Sequence, residues 1–341
     1  MLLSLFCGPG GLDLGFERAG FRTSFAFDKH ADSIRTYNHN RLGADSPAGY
    51  ILDLTDVSAK DLDVFAGREL TPTGVIGGPP CQSFSQANRS PRAEDPRHIL
   101  PLRYAALLAE LNARHRIDFF MFENVPGLGL PPHDERFRSL LTALTEAGFN
   151  VSSAILNAMD FGVPQRRKRL IVVGFNAAAY PGKKWTAPTH LRQESKIRTV
   201  RDTFVDLPEP TYFHRGASPE TIQPHPNHWC MAPKSKKFTD GTLKEGNTCL
   251  RSFKTLAWDA PSITVAYGNR EVHVHPNCQR RLSVYEAMLL QGFPATYELT
   301  GNLSSQIRQV SDAVPPPLAE AVALSIAEQL KLNSDTVQAS P

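Results

Sequence analysis

The sequence predicts an α/β fold: a doubly wound, mostly parallel sheet, joined to a smaller and looser part. Three observations lead there. In the first half, short uninterrupted apolar runs alternate with stretches of helical spacing, the pattern of βα units. From about residue 186 both signals give way to Pro, Gly, His and short polar pieces. The length of 341 residues exceeds one ordinary core, so a large unit with a smaller inserted or appended one is expected.

The strands come first. "LLSLF", "TSFAFD", "GVIGG" and "DFFMFENV" have too many consecutive apolar residues for a sheet covered on one side only, and read as buried strands. Between them "LDLGFERAG", "ADSIRTYNHN" and "RYAALLAELNAR" have helical spacing. "NVSSAILNAMDFG" and "RLIVVGF" flank the tight "VPQRRK" and predict a hairpin whose last strand runs antiparallel to the others. Further on, "LPEPTYFHRGASPE" and "QPHPNHW" lack periodicity. "RRLSVYEAMLLQGFP" predicts a short helix with Ser283 and Glu286 at capping-box spacing. "PPPLAEAVALSIAEQLKL" predicts an amphipathic helix opened by prolines and packed back on the first unit. The expected division is 1–189 for the sheet unit, 190–296 for the smaller unit, 297–332 for a returning segment and 333–341 for a frayed tail. No internal repeat is visible.

Composition is that of an ordinary globular chain, with 41% hydrophobic and 21% charged residues. No run approaches the roughly 20 apolar residues needed to span a bilayer. The start "MLLSLFCGPGG" lacks a basic flank and its apolar run breaks early, so a cytoplasmic protein is expected. Five scattered cysteines do not form a disulfide framework. A zinc site would have to draw on His225, His228 and Cys230 with Cys249 or Cys278. No CxxC pair anchors one, and no metal is expected. Net charge is +3. Between residues 183 and 254, however, 13 Lys and Arg stand against 7 Asp and Glu, which fits a polyanionic partner or a solvated basic face.

Three motifs could carry chemistry. "SLFCGPGGLDLGFERAG" is a strand, a glycine-rich turn and a helix. Gly8, Gly10 and Gly11 would let a ligand approach the backbone, and Asp28, ending the next strand, could accept bonds from ribose hydroxyls. Any nucleotide-like cofactor, NAD included, or a purely structural turn, satisfies this pattern. In "GGPPCQSFS" the prolines fix the chain's direction just before Cys81, where a strand should end. The thiol is either presented at the ligand edge of the sheet or is a small buried hydrophobe. Arg166, Arg167 and Arg169 of "QRRKR" could lower its pKa from the antiparallel strand's start. In "FFMFENV" Glu123 and Asn124 follow four apolar residues. Such a carboxyl should have a raised pKa suited to proton donation, unless it merely caps a helix or pairs with a cation.

Taken in order, "SLFCGPGGLDLGF", "GGPPCQSFS", "ENV", "QRRKRLIVVG", "RRLSVYEAMLLQGFP" and "QVSDAVPPPLA" resemble the motif series of the DNA cytosine carbon-5 methyltransferases of bacterial restriction–modification systems. The resemblance runs from about Leu3 to Leu330, with a gap over roughly 185–255. It implies a Rossmann-like, class I S-adenosylmethionine-dependent catalytic unit and a target-recognition region in the gap. It also implies duplex DNA as substrate, S-adenosyl-L-methionine as donor, a cognate restriction endonuclease as a possible companion, and a monomer. Cys81 would attack carbon 6 of a flipped-out cytosine and Glu123, beside Asn124, would protonate ring nitrogen 3. Arg167 would contact the base's carbonyl oxygen while Arg169 supports the glutamate.

The same resemblance implies cofactor contacts from Phe6, Gly8, Gly10, Gly11, Leu12, Asp28, Asp53, Pro79, Leu100, Asp312 and Ala313. DNA contacts would come from Gln82, Ser85, Arg89, Arg92 and Arg97 in the loop after the cysteine. In the gap they would come from Lys234, Lys236, Lys237, Arg251 and Lys254. One departure stands out: the family's last motif reads Gly-Asn before "AVPP", and this chain has Ser311-Asp312. A carboxylate there could repel the donor's carboxylate or pair with its ammonium; ordinary activity is expected. A tRNA cytosine methyltransferase of the same fold and a catalytically silent DNA-binding relative are the rivals. "QSFS" and the basic segment favour duplex DNA over tRNA.

Overall fold

The computed structural model describes residues 1–41, 48–80, 96–189, 197–250, 252–265 and 272–337. Eight strands belong to the first half: β1 (Leu2–Leu5), β2 (Thr23–Asp28), β3 (Ala48–Ile51), β4 (Gly74–Gly77), β5 (Phe119–Asn124), β6 (Phe149–Asn157), β7 (Gln165–Arg166) and β8 (Lys168–Asn176). Seven of them form one sheet in the order β3-β2-β1-β4-β5-β8-β6. β8 runs antiparallel to both β5 and β6, and the other pairs are parallel. The α/β class and the antiparallel strand are therefore as the sequence predicts. The hairpin connection is less tight than expected, because a short helical turn (Ala158–Phe161) and β7 lie between β6 and β8.

Both faces of the sheet are covered, which is why its strands read as continuous apolar runs. Leu3, Leu5, Phe27, Val75, Phe120, Phe122 and Val172 pack on one side. Against them lie Leu62 of helix α3 (Ala59–Ala66), Tyr104 and Leu108 of α4 (Leu100–Arg114), and Leu140 and Leu144 of α5 (Asp134–Glu146). The α1 (Gly11–Arg18) and α2 (Ala31–His39) helices follow β1 and β2. The alternate residues Leu2, Ile76, Phe119, Met121, Ile171 and Val173 face the other way, onto Leu12 and Phe16 of α1. This two-residue alternation is the pleat itself.

The loop-rich part holds only short pieces. Helix α6 (Val200–Thr203) is followed by β9 (Thr211–Tyr212), β10 (Trp229–Cys230), β11 (Phe253–Thr255), β12 (Ser262–Ile263) and β13 (Val272–Val274). These pair two by two, β9 with β10 and β11 with β13, while β12 pairs with β7. Helix α7 (Val284–Leu290) opens with the expected capping box. Ser283 Oγ accepts from the Glu286 amide, and the Glu286 carboxylate accepts from the Ser283 amide. That carboxylate also holds Arg280 through two bonds of 2.9 Å, so a local cap doubles as a buried ion pair.

Helix α8 (Leu303–Asp312) leads directly into α9 (Pro316–Val337), which lies against α1 and the sheet. A Cβ on Gly15 of α1 would fall 2.4 Å from the Ala319 Cβ, so the two helices touch backbone to backbone. The burial of α9 is wider than an amphipathic stripe, because Trp185 also packs on it and donates to Ser325 Oγ at 2.9 Å. Among the described residues no helix is long and apolar enough to cross a membrane.

Candidate active site

In an order of β3-β2-β1-β4 the chain reverses direction of growth between β1 and β4. The crevice beyond the carboxyl ends of such strands is where open α/β sheets hold ligands. A cavity of about 440 Å³ lies there. Its walls come from the residues after β1 (Phe6, Gly8, Gly11, Leu12), the end of β2 (Asp28, Lys29, His30), the residues after β4 (Gly78, Pro79, Pro80), Glu123 of β5 and the two arginines Arg167 and Arg169. The end of α8 and the residues beyond it (Arg308, Gln309, Ser311, Asp312, Ala313, Val314) close it.

The glycine turn is built by backbone geometry. Phe6 has φ 57, a left-handed conformation that non-glycine residues adopt only at a cost, and Gly8 and Gly10 have φ 54 and 89. Asp28 stitches the turn to β2: one carboxylate oxygen accepts from the Gly8 amide at 3.0 Å, the other from the His30 amide at 2.8 Å. At Gly8 an added Cβ would meet nothing within 4 Å, so the backbone here opens onto free space. Gly10 is different. It does not line the cavity, and an added Cβ would meet Arg41 at 2.8 Å and Tyr37 at 2.9 Å. The expectation that Gly10 admits a ligand gives way to a packing reason for its glycine.

Beyond β4 and β5 a carboxyl meets a guanidinium. Glu123 Oε1 pairs with Arg169 Nε at 2.7 Å, both side chains nearly buried. Gly78 makes room for it, since a Cβ there would stand 2.8 Å from Glu123 Oε2. Burial pushes the Glu123 carboxyl above its ordinary range; Arg169 and Arg167 oppose that rise, and Asp312 adds to it. A proton-donating carboxyl is thus compatible with the site.

Two expected roles change. Arg167 is 1% exposed and its guanidinium is engaged with backbone: Nη2 donates to the Ser311 and Ala313 carbonyls at 2.8 and 2.9 Å, and Nη1 to Val265 at 3.4 Å. Arg169 pairs with the acid, as expected of it. Asn124, expected at the chemistry, does not line the cavity. It is buried, donates to the Pro79 carbonyl at 3.2 Å and accepts from the Val125 amide at 2.9 Å. Its contact holds the approach to Cys81. Cys81 itself, Gln82, Ser85, Arg89, Arg92 and Arg251 lie outside the described residues, as does the side chain of Arg97.

At the far wall Asp312 ends α8 and pairs with Arg308 at 3.5 Å, while Arg308 also contacts His30. Surrounding protein pushes the Asp312 carboxyl upward, and Arg308 and Arg167 counteract this. Pro79 and Ala313 line the cavity as expected, but Asp53 and Leu100 do not. Asp53 is exposed, accepts from the Thr55 amide and hydroxyl, and lies 3.9 Å from Lys29, a lining residue. Leu100 is buried at the start of α4. Lys234, Lys236 and Lys237 are exposed; Lys237 sits 5.1 Å above the Phe253 ring. Lys254 is spent on the Thr248 carbonyl at 2.7 Å. His30 and Arg308 were not foreseen. His30 lies two residues after Asp28, which is a usable signal; Arg308 lies 278 residues from its contact and gave none.

Comparison with known proteins adds the following. Residues 1–328 match the family profile described as C-5 cytosine-specific DNA methylase. The Type II methyltransferase M.NmeDI of Neisseria meningitidis serogroup C is 31% identical, over 97% of this chain and 84% of that protein. M.MthTI of Methanothermobacter thermautotrophicus, also a Type II methyltransferase, is 31% identical over 97% and 98%. Among solved structures, a DNA modification methyltransferase encoded within an E. coli prophage superposes with a TM-score of 0.75 at 22% identity, covering 97% of this chain and 99% of that one. The S. pombe Dnmt2 methyltransferase superposes with a TM-score of 0.63 at 18% identity, covering 97% and 98%. At these identities the two structures speak for the fold alone.

Proposed function

The chain belongs to the C-5 cytosine-specific DNA methylase family, and from that premise we propose that it methylates carbon 5 of a cytosine flipped out of duplex DNA, through a covalent Cys81 adduct. The donor is S-adenosyl-L-methionine. The observation that carries this reading is a convergence. The glycine turn, the Gly78-Pro79-Pro80 approach to Cys81 and the buried Glu123–Arg169 pair all border one cavity.

The lining fits the donor. Phe6, Leu12 and Val314 offer apolar surface to a nucleoside, Asp28 offers a carboxylate to its ribose, Gly8 leaves open space, and Arg308 and Asp312 offer charges to a zwitterionic tail. When bound, the donor supplies an electrophilic methyl group. The protein's own groups do the rest. Proline at 79 and 80 removes amide donors and fixes the chain's direction, presenting the Cys81 thiol. Its thiolate forms a bond to carbon 6, the ring's electrons move to nitrogen 3, and that nitrogen takes the Glu123 proton. Carbon 5 is thereby turned into an enamine nucleophile. Once it carries the one-carbon group, carbon 5 loses its proton, and the freed pair re-forms the 5,6 double bond as the bond to sulfur breaks. Cys81 leaves as thiolate, and nitrogen 3 returns its proton to Glu123. Arg169 holds Glu123 and is the arginine placed to meet the base's carbonyl oxygen; Arg167 braces the loop around Asp312. Asp312 leaves ordinary activity intact.

A base inside a duplex is out of reach, so extrusion costs a few kcal/mol, which DNA contacts must offset. Residues 1–189 form the catalytic unit, 190–296 the smaller unit with target recognition, and 297–332 the returning segment. Lys234, Lys236 and Lys237 meet DNA there. The enzyme works as a monomer, beside an endonuclease that cuts the same site. Transfer of tritium from methyl-labelled donor to duplex DNA tests the proposal, with tRNA as the second acceptor. Label in DNA that bisulfite sequencing places on cytosines supports it; label in tRNA alone, or in neither, overturns it.

A further inference from the structure

Behind the glycine turn lies a buried polar cluster that the proposed mechanism does not use and whose side chains do not line the cavity. The Tyr297 hydroxyl donates to the Pro9 carbonyl, and Arg41 Nη2 lies 3.5 Å from the Gly10 carbonyl. Arg41 is fixed in turn: it grips both Glu17 carboxylate oxygens at 2.9 and 3.1 Å, donates to the Tyr37 carbonyl at 3.2 Å, and stacks 3.8 Å from the centre of the Tyr37 ring. The Tyr37 hydroxyl donates to Asp13 at 3.1 Å, and Ser4 donates to the same carboxylate at 2.9 Å. The cluster has closed on Gly10 so tightly that a single added methyl would collide with it.

We propose that Tyr297 and Arg41 are positioning residues for the donor site. They hold the Pro9 and Gly10 carbonyls from behind, so that Gly8, Gly11 and Leu12 keep the shape that the cavity presents. Tyr297 belongs to the segment that returns after α7, 288 residues from Pro9. The clamp therefore makes the donor site complete only when that segment is seated. This rests on reading the cavity as the donor site. The amide-exchange arm below, however, depends on the clamp alone.

Tyr297→Phe is the variant of choice, since it keeps the ring that packs 4.9 Å from Phe293 and removes only the hydroxyl. Losing one such bond should raise the dissociation constant for S-adenosyl-L-homocysteine, measured by calorimetry, about fivefold, with kcat at saturating donor changed less than about twofold. Amides of Gly8, Gly10, Gly11 and Leu12 should exchange about fivefold faster in the ligand-free variant, while those of β5 stay as in the wild type. Arg41→Met should show the same split. Unchanged exchange at the turn in both variants would overturn the clamp, whatever happens to melting temperature. Faster exchange at the turn with unchanged affinity for the ligand would overturn its link to the donor. Failure of the wild type to bind the ligand would count against the donor site itself, and the exchange comparison would still decide the clamp.

Discussion

A carboxyl that is to protonate a ring nitrogen near neutrality must be buried enough to keep its proton, yet not be stranded as an unpaired charge. For Glu123 burial meets the first condition and the Arg169 pair at 2.7 Å the second. Glu123→Gln should lower kcat by about 10²-fold or more and leave donor affinity unchanged, as calorimetry beside single-turnover kinetics would show. Because burial raises the pKa of this group, its acid form persists to higher pH than in a free glutamate and is lost as pH rises through that pKa. The rate should therefore fall on the alkaline side. Arg169→Met removes an opposing charge and should move that limb to higher pH. The two arginines should also separate in assay: Arg167→Lys, which gives up bonds to carbonyls, should cost about 3 kcal/mol of stability, whereas Arg169→Lys should lower kcat with little change in melting temperature. The resemblance put Arg169 beside the glutamate, as the structure has it, but not Arg167 on backbone carbonyls. The partners that decide it, Ser311 and Ala313, are 144 and 146 residues away.

At the scale of elements, the strands of the sheet were legible because each is buried on both faces and so spells an unbroken apolar run. The α7 cap was legible because its spacing is a local rule. The β9 to β13 pieces were not, since strands of two or three residues leave no period to read. The glycine turn was half legible. Its glycines announced a turn, but not that Gly10 serves the packing behind it, because Arg41 and Tyr297 reach it only in three dimensions. Asp13 in that packing has a measurable signature. Burial holds its carboxyl up to about 6 against an ordinary 3.8. The folded state then binds the proton more tightly than the unfolded chain, so stability is full below about 4 and is lost as pH rises through about 6. Urea unfolding should show the wild type gaining about 2 kcal/mol relative to Asp13→Asn between pH 7 and pH 4.

Across the whole molecule, two distant lengths of chain close one cavity: the glycine turn near residue 8 and the Ser311–Val314 stretch at the end of α8. The motif order implied that both belong to the site. That α8 itself reaches across to His30 through Arg308 was beyond what one sequence offers. The basic balance between residues 183 and 254 belongs to this scale too. If its exposed lysines meet phosphates, DNA affinity should fall more than about tenfold between roughly 50 and 200 mM salt, and Lys236→Ala with Lys237→Ala should flatten that slope. A flat response in the wild type would mean that this surface does not meet nucleic acid. The most direct measurement is mass spectrometry of the protein incubated with S-adenosyl-L-methionine and duplex DNA carrying 5-fluorocytosine in its target site. With fluorine on carbon 5 the final proton loss is blocked, so a complex of protein, DNA and one methyl group should accumulate, joined at Cys81 and absent from Cys81→Ser. An adduct that persists in Cys81→Ser, or none in an active wild type, would contradict the account.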